Sequence, residues 1–190
     1  MSPLEQRIAH SFTNITQEPD NGAGTMKIGI LSDTHDEIAS TRAALEMLRQ
    51  QDAAFVIHCG DLTSPEVVLL FEGWDAVFVW GNMDKDTLAL RDAVRRIGRA
   101  SIGDTFTAHL GGAHLAACHG DDAAMLKRLI RSGLYDYVFH GHTHEQRDEH
   151  IGRTRVINPG ALGGMRQGPR SFCVLDLESG EAVFIELPDA

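Results

Sequence analysis

The stretch Met26–Asp36, MKIGILSDTHD, decides the fold. Lys27–Leu31 is a short, mostly apolar run of the length of a buried strand. It stops abruptly in Ser32-Asp33-Thr34-His35, and a helical pattern follows over Ile38–Gln50, with Ile38, Leu45 and Leu48 on one face. A strand that ends in polar side chains and hands over to a helix opens a β-α-β unit.

Outward from this stretch the rhythm repeats. Ala54–His58 reads as a strand, and Ser64-Pro65 opens a helix to about Phe71, with Ser64 as N-cap and Pro65 at the first position. Ala76–Trp80 reads as a strand and Lys85–Ile97 as a helix. Such alternation predicts parallel strands joined by right-handed crossovers. After Ser101 the pattern changes. Thr105–Leu110 and His114–Cys118 flank Gly111-Gly112 as a hairpin. A helix over Ala123–Ser132 and a strand over Tyr137–His140 follow. Arg153–Ile157, Ser171–Leu177 and Ala182–Leu187 read as antiparallel strands, the last two turning at Ser179-Gly180. Residues 1–25 are mostly polar and show no sustained period, so they read as an N-terminal extension. Residues 26–190 then form a single α/β domain, and Met26 itself would serve as a translation start.

Composition bounds the function. The 190 residues suit one domain, and 43 % hydrophobic residues suffice for a core. No apolar run approaches the ~20 residues that cross a bilayer, and no secretory signal is visible. Lys plus Arg total 17 against 27 Asp plus Glu, a net −10. Stable nucleic-acid binding is not expected from that balance, although bound divalent metals could still provide local positive charge for a phosphate. Cys59, Cys118 and Cys173 make no C-x-x-C pair and read as buried thiols of a cytoplasmic protein.

The strand ends carry the chemistry. The first delivers Asp33 and His35, the second His58 and Asp61, the third Asn82 and Asp84. Two later ends deliver His119 with Asp121, and His142 with His144. Ligands of open α/β sheets bind outside the carboxyl ends of the strands, so five such ends gather these side chains in one place. In extended chain, residues i and i+2 point the same way, so Asp33 with His35, and His142 with His144, can each face one site. Carboxylates, imidazoles and an amide without thiolates suit manganese first, with iron, zinc, nickel or cobalt also compatible. The set is too large for one tetrahedral zinc and suits two divalent metal ions sharing a carboxylate.

In this order the motifs SDTH, CGD, GN, CHGD, GHTH and NPGA resemble the calcineurin-like metallophosphoesterases, in particular their small bacterial and archaeal phosphodiesterase branch. The resemblance runs from Met26 to about Leu187. It implies a four-layer α/β/β/α sandwich with mixed sheets. It implies that Asp33, His35 and His144 hold one metal, that Asn82, His119 and His142 hold the other, and that Asp61 bridges them. It further implies in-line attack on a small phosphodiester by a hydroxide between the metals. A phosphomonoesterase, or a non-catalytic metal-binding scaffold of the same fold, is the alternative. A homo-oligomer is compatible with the sequence, and no membrane partner is implied.

The sequence departs from the family pattern twice. Met83 stands where many relatives carry a proton-donating His, which leaves His58 as a weak stand-in. Ala161 stands where the branch often carries Ser. Among the remaining residues, Asp84 and Asp121 follow ligand positions and read as helix caps or as groups that orient those ligands, His140 as a support for its neighbours or a plain strand end, and Asn158 as a turn residue, with a role at the site as the alternative. Arg166 and Arg170 read as solvated loop residues, and His10, His109, His114 and His150 have no site context.

Overall fold

The computed structural model describes residues 26–165 and 168–188. The expected N-terminal extension, residues 1–25, lies outside them. In chain order the elements are β1 (Lys27–Leu31), α1 (Ile38–Gln50), β2 (Phe55–His58), α2 (Pro65–Leu69), β3 (Ala76–Val79), α3 (Thr87–Ile97), β4 (Ala100–Gly103) and β5 (Phe106–Leu110). Then come β6 (Ala113–Ala117), α4 (Ala123–Arg131), β7 (Tyr137–Phe139), β8 (Gln146–Ile151), β9 (Thr154–Pro159), β10 (Arg170–Asp176) and β11 (Ala182–Leu187).

Two mixed sheets result. The first has the order β11-β10-β1-β2-β3-β4, with β1 to β4 parallel and β10 and β11 antiparallel additions. The second has the order β5-β6-β7-β9-β8, with β6, β7 and β9 parallel between two antiparallel edges. The strand period of two sorts the side chains. Ile28, Ile30, Ile57 and Val77 of the first sheet meet Leu115, Ala117, Phe139 and Ile157 of the second. On the outer face of the first sheet, Leu31, Val56 and Phe78 pack against Leu45 and Leu48 of α1, Val67 and Val68 of α2, and Leu90 and Val94 of α3. A Cβ at Gly29 would lie 2.5 Å from Leu48 Cδ1, so glycine lets α1 sit close on β1. Ala116, Val138 and Val156 of the second sheet meet Leu129 and Ile130 of α4. Helices outside two facing sheets make the four layers expected.

Two strands were not predicted. β8 is QRDEHI, exposed along most of its length, because it is an edge with neither face in a core. β4 is half-buried and pairs parallel with β3, closing the first sheet. The expected antiparallel strand over Arg153–Ile157 belongs to β9, which runs antiparallel to β8 but parallel to β7. The third helix starts at Thr87 rather than Lys85, with the Asp86 side chain accepting the Ala89 N–H. Ser64 occupies the N-cap of α2 without a side-chain cap bond. Among the described residues, no helix is long and apolar enough to cross a membrane.

Candidate metal centre

The carboxyl ends of β1, β2 and β3 meet those of β6 and β7, and main-chain bonds join their loops. Asp33 N donates to Gly60 O at 3.0 Å, His35 N to Asp61 O at 3.1 Å, and Gly141 N to His119 O at 2.8 Å. All seven predicted metal ligands come together here. Asp33, His35 and His144 offer ligand atoms within 4.8 Å of one another, and so do Asp33, Asp61 and His119. Asp61 Oδ2 lies 3.6 Å from His35 Nε2 and 3.4 Å from His119 Nε2. Asp33 Oδ1 lies 3.3 Å from His144 Nε2. Asn82 Oδ1 lies 3.1 Å from both His119 Nε2 and His142 Nδ1.

The backbone aims these side chains differently from the extended chain expected. Asp33, His35, Asp61, His142 and His144 all have positive φ, between 43° and 68°. Left-handed conformations are uncommon outside glycine, although Asp and His tolerate them better than most residues. The i, i+2 pairs do converge, but through tight left-handed loops. Such strain is held only where the surroundings over-determine it.

Those surroundings are legible residue by residue. Buried Asp84 accepts the N–H groups of Asp61 at 3.1 Å, Gly81 at 2.8 Å and Thr63 at 2.8 Å. It therefore ties the Asp61 loop to the Asn82 loop, and the capping expected of it falls to Asp86. Likewise Asp122, not Asp121, caps α4, accepting from Ala124 N and Met125 N. Asn158 is fully buried. Its amide donates to Gly141 O at 2.9 Å and Thr143 Oγ1 at 3.0 Å, and its carbonyl accepts from Gly160 N at 3.0 Å. It is both turn residue and support for the His142–His144 loop. His140 sits beneath that loop, with Arg147 Nη1 3.3 Å from its Nε2, and burial brings its pKa down to about 4.

The donor chemistry fits divalent cations. Asp33 Oδ1 is buried without a hydrogen-bond partner. His119 Nδ1 donates to Cys59 O at 2.8 Å and His144 Nδ1 to Met165 O at 2.6 Å. Each neutral ring then presents a bare Nε2 lone pair. Those lone pairs face other acceptors: Asn82 Oδ1 for His119, and Asp33 Oδ1 for His144. Acceptors converging on acceptors repel unless positive charge sits among them. Without a cation, protons answer that demand. Burial disfavours the charged His119 ring, yet the bond to Asp61 and the Asp33 charge prevail and raise its pKa to about 9. The adjacent Asp33 carboxylate raises His144 in the same way. Asp61 is pulled up by burial but held below its ordinary value by His119 and the Met83 N–H. Carbonyl-fixed tautomers of this kind also orient metal-binding histidines.

Other expectations resolve differently. His58 is fully buried against Phe71 and Phe78, and its Nδ1 accepts from Gly60 N at 3.2 Å. It supports the Gly60 turn, and burial holds its pKa down at about 3. Met83 is 45 % exposed beside Asn82, so the position without a donor opens to solvent. Arg170 pairs with Glu37 at 3.2 Å and is not a solvated loop residue. Ala161 is buried. Arg166 and His10 fall outside the described residues. His109 and His114 pair their rings on the β5–β6 hairpin, and His150 lies on β8. The support from the Met165 carbonyl had no signal in the sequence, because a main-chain oxygen carries none.

Phosphodiesterase MJ0936 of Methanocaldococcus jannaschii is 37 % identical to this chain over 159 residues, which cover 82 % of this chain and 96 % of that protein. The solved structure of an archaeal phosphodiesterase superposes with a TM-score of 0.81 at 36 % identity, covering 85 % of this chain and all of the other. The zinc complex of Vps29 from Entamoeba histolytica shares the fold alone, at a TM-score of 0.61 and 18 % identity over 85 % of this chain and 98 % of that one. Residues 26–180 match the model of the calcineurin-like phosphoesterase superfamily domain. With that match, and with its two mixed sheets ending at an Asp, Asn and His cluster, the chain belongs to the calcineurin-like phosphoesterase superfamily.

Proposed function

We propose that the protein is a dinuclear, metal-dependent phosphodiesterase and that residues 26–190 form one catalytic unit. One observation carries the reading: nitrogen and oxygen acceptors from five strand ends converge on one another, with a buried carboxylate oxygen left unpaired. Asp33, His35 and His144 would hold one divalent ion, and Asn82, His119 and His142 the other, with Asp61 between them. Bound cations of this kind supply charge for phosphoryl oxygens and lower the pKa of water. Manganese, iron, zinc, nickel or cobalt suits the donors.

The chain's own groups do the rest. Asp84 and Asn158 fix the loops so that the ligands need no reorganisation. His119 and His144 keep their protons on Nδ1, bonded to carbonyls, which leaves Nε2 free. Neither Met83 nor buried His58 offers a proton to a departing alkoxide. Substrates with stable leaving groups are accordingly favoured. The diester preference is supported by the identity with the Methanocaldococcus jannaschii phosphodiesterase. Three buried free thiols support a reducing, cytoplasmic setting.

The test is a paired assay on chelator-stripped protein given Mn²⁺. Hydrolysis of bis-p-nitrophenyl phosphate is compared with that of p-nitrophenyl phosphate, and bound metal is counted in the same sample. Diester turnover with about two ions per chain is expected. Monoester turnover alone would overturn the substrate class. Metal without turnover on either would favour the scaffold.

A further inference from the structure

The proposed diesterase activity leaves unexplained two exposed cations that lean on the segment carrying Asn82. Residues 85–99 hold five Lys or Arg and two Asp, in a chain where acidic residues outnumber basic ones by 27 to 17. Lys85, Arg91, Arg95, Arg96 and Arg99 are all exposed. Arg95 pairs with Asp92, and Arg99 with Asp75. Lys85 and Arg91 instead lean on the segment that carries Asn82. The Lys85 ammonium donates to Asn82 O at 2.6 Å, and the Arg91 guanidinium stacks 4.9 Å from the centre of the Trp80 ring. Among the described residues no carboxylate forms an ion pair with either.

We propose that Lys85 and Arg91 form a subsite for a second phosphate of the substrate, so that the preferred substrate is a small phosphodiester carrying another phosphate group. Three features point this way. The two cations are anchored through Asn82 and Trp80, two residues apart in sequence. Neither forms an ion pair among the described residues, whereas Arg95 pairs with Asp92 and Arg99 with Asp75. An acidic protein repels anions generally, so a local cationic edge beside a phosphate-handling centre selects where an anion enters. A phosphate monoester presents several acceptor oxygens for charge-assisted bonds from ammonium and guanidinium groups. The Trp80 ring keeps the guanidinium in place, reducing the ordering cost on binding.

The inference rests on the phosphodiesterase reading, and the experiment separates the two. Manganese-loaded protein is given the dinucleotides TpT and pTpT, which share one internal diester and differ by a terminal phosphate. The expected kcat/KM ratio favours pTpT by about tenfold, and the preference shrinks with added salt. The double variant Lys85→Gln/Arg91→Gln should bring the ratio to about one, whereas Lys85→Arg/Arg91→Lys should keep most of it. Where cleavage of both is slow, the same ratio is read from their inhibition of bis-p-nitrophenyl phosphate hydrolysis. A wild-type ratio near one, or a preference unmoved in the glutamine variant, overturns the subsite while leaving the diesterase intact. Affinity that keeps rising with longer oligothymidylates overturns the small substrate in favour of a nucleic-acid track. No hydrolysis of bis-p-nitrophenyl phosphate overturns the underlying reading, and the subsite with it.

Discussion

The carboxylate of Asp84 accepts the main-chain N–H of Asp61 at 3.1 Å, joining residues 23 apart in sequence. Asp61 answers by accepting the Met83 N–H at 2.7 Å. The two loops thereby hold each other, and the left-handed backbone at Asp61 is kept in place by bonds from the Asn82 side. Burial pushes the Asp84 pKa up while its three N–H donors pull the other way. Asp84→Asn keeps one acceptor oxygen and turns an amide NH₂ toward main-chain N–H groups. Stability should fall by about 1–3 kcal/mol, and metal affinity by roughly 10- to 100-fold. Thermal melts and Mn²⁺ titration read the two effects. A variant with unchanged affinity would show that Asp84 holds the fold and not the site.

Asn158 acts on the histidine loop in a comparable way. Asn158→Ala leaves Gly141 O, Thr143 Oγ1 and Gly160 N without this buried partner. Diesterase activity should drop roughly 10- to 100-fold with protein still folded. Bound metal should fall with it, because His142 and His144 lose their support. Activity retained at full metal content would relegate Asn158 to the turn alone.

Asp61→Asn tests the shared ligand directly. It removes the charge that lies within 3.6 Å of both His35 and His119. Bound metal should fall below two ions per chain, and turnover of diester and monoester alike should be lost. Full rates with both ions present would refute the bridging role.

Most of the architecture could be read from strand ends, because buried parallel strands are short apolar runs that stop at polar residues. β1, β2, β3 and β7 have that form, and all seven ligands sit just beyond strands of this kind or just beyond β6. β8 escaped because an edge strand with neither face in a core needs no apolar alternation. Capping by Asp84 and Asp121 fails because Asp beside a helix start is ambiguous within two residues, while the orienting alternative fits Asp84. In each case a neighbouring Asp, 86 or 122, takes the cap. The left-handed backbone at five ligands had no sequence signal beyond the flanking glycines, which allow tight turns and close backbone approach.

Gly141 is the position where that reading turns quantitative. A Cβ there would lie 1.8 Å from Ser32 Oγ and 2.4 Å from Asp33 Oδ2. Both neighbours are buried and short, so neither can swing away. Gly141→Ala should displace Asp33 and abolish metal binding, read by metal analysis of purified protein. Gly73→Ala is the control: φ is +83° and nothing lies within 4 Å of the added carbon. It should cost only about 1 kcal/mol and keep the metals. Metal content in Gly141→Ala equal to that of the control would show that the close approach is relieved and is not what makes Gly141 necessary.

The β8 edge is held by charge rather than burial, and its stability should depend on pH. Arg155 donates to both oxygens of Asp148 at 2.7 Å. That bond holds the Asp148 carboxyl below its ordinary value, against a smaller upward pull from partial burial. A depressed folded-state pKa contributes stability that is full above the unfolded value, near 4, and is lost as pH falls through the lower folded value. Asp148→Asn should therefore cost about 0.5–1 kcal/mol at pH 7, the modest figure reflecting partial exposure. In urea titrations the gap between variant and wild type should narrow at pH 3 and stay open at pH 5. A gap that is the same at all three pH values would show that the lost bond is geometric and carries no charge.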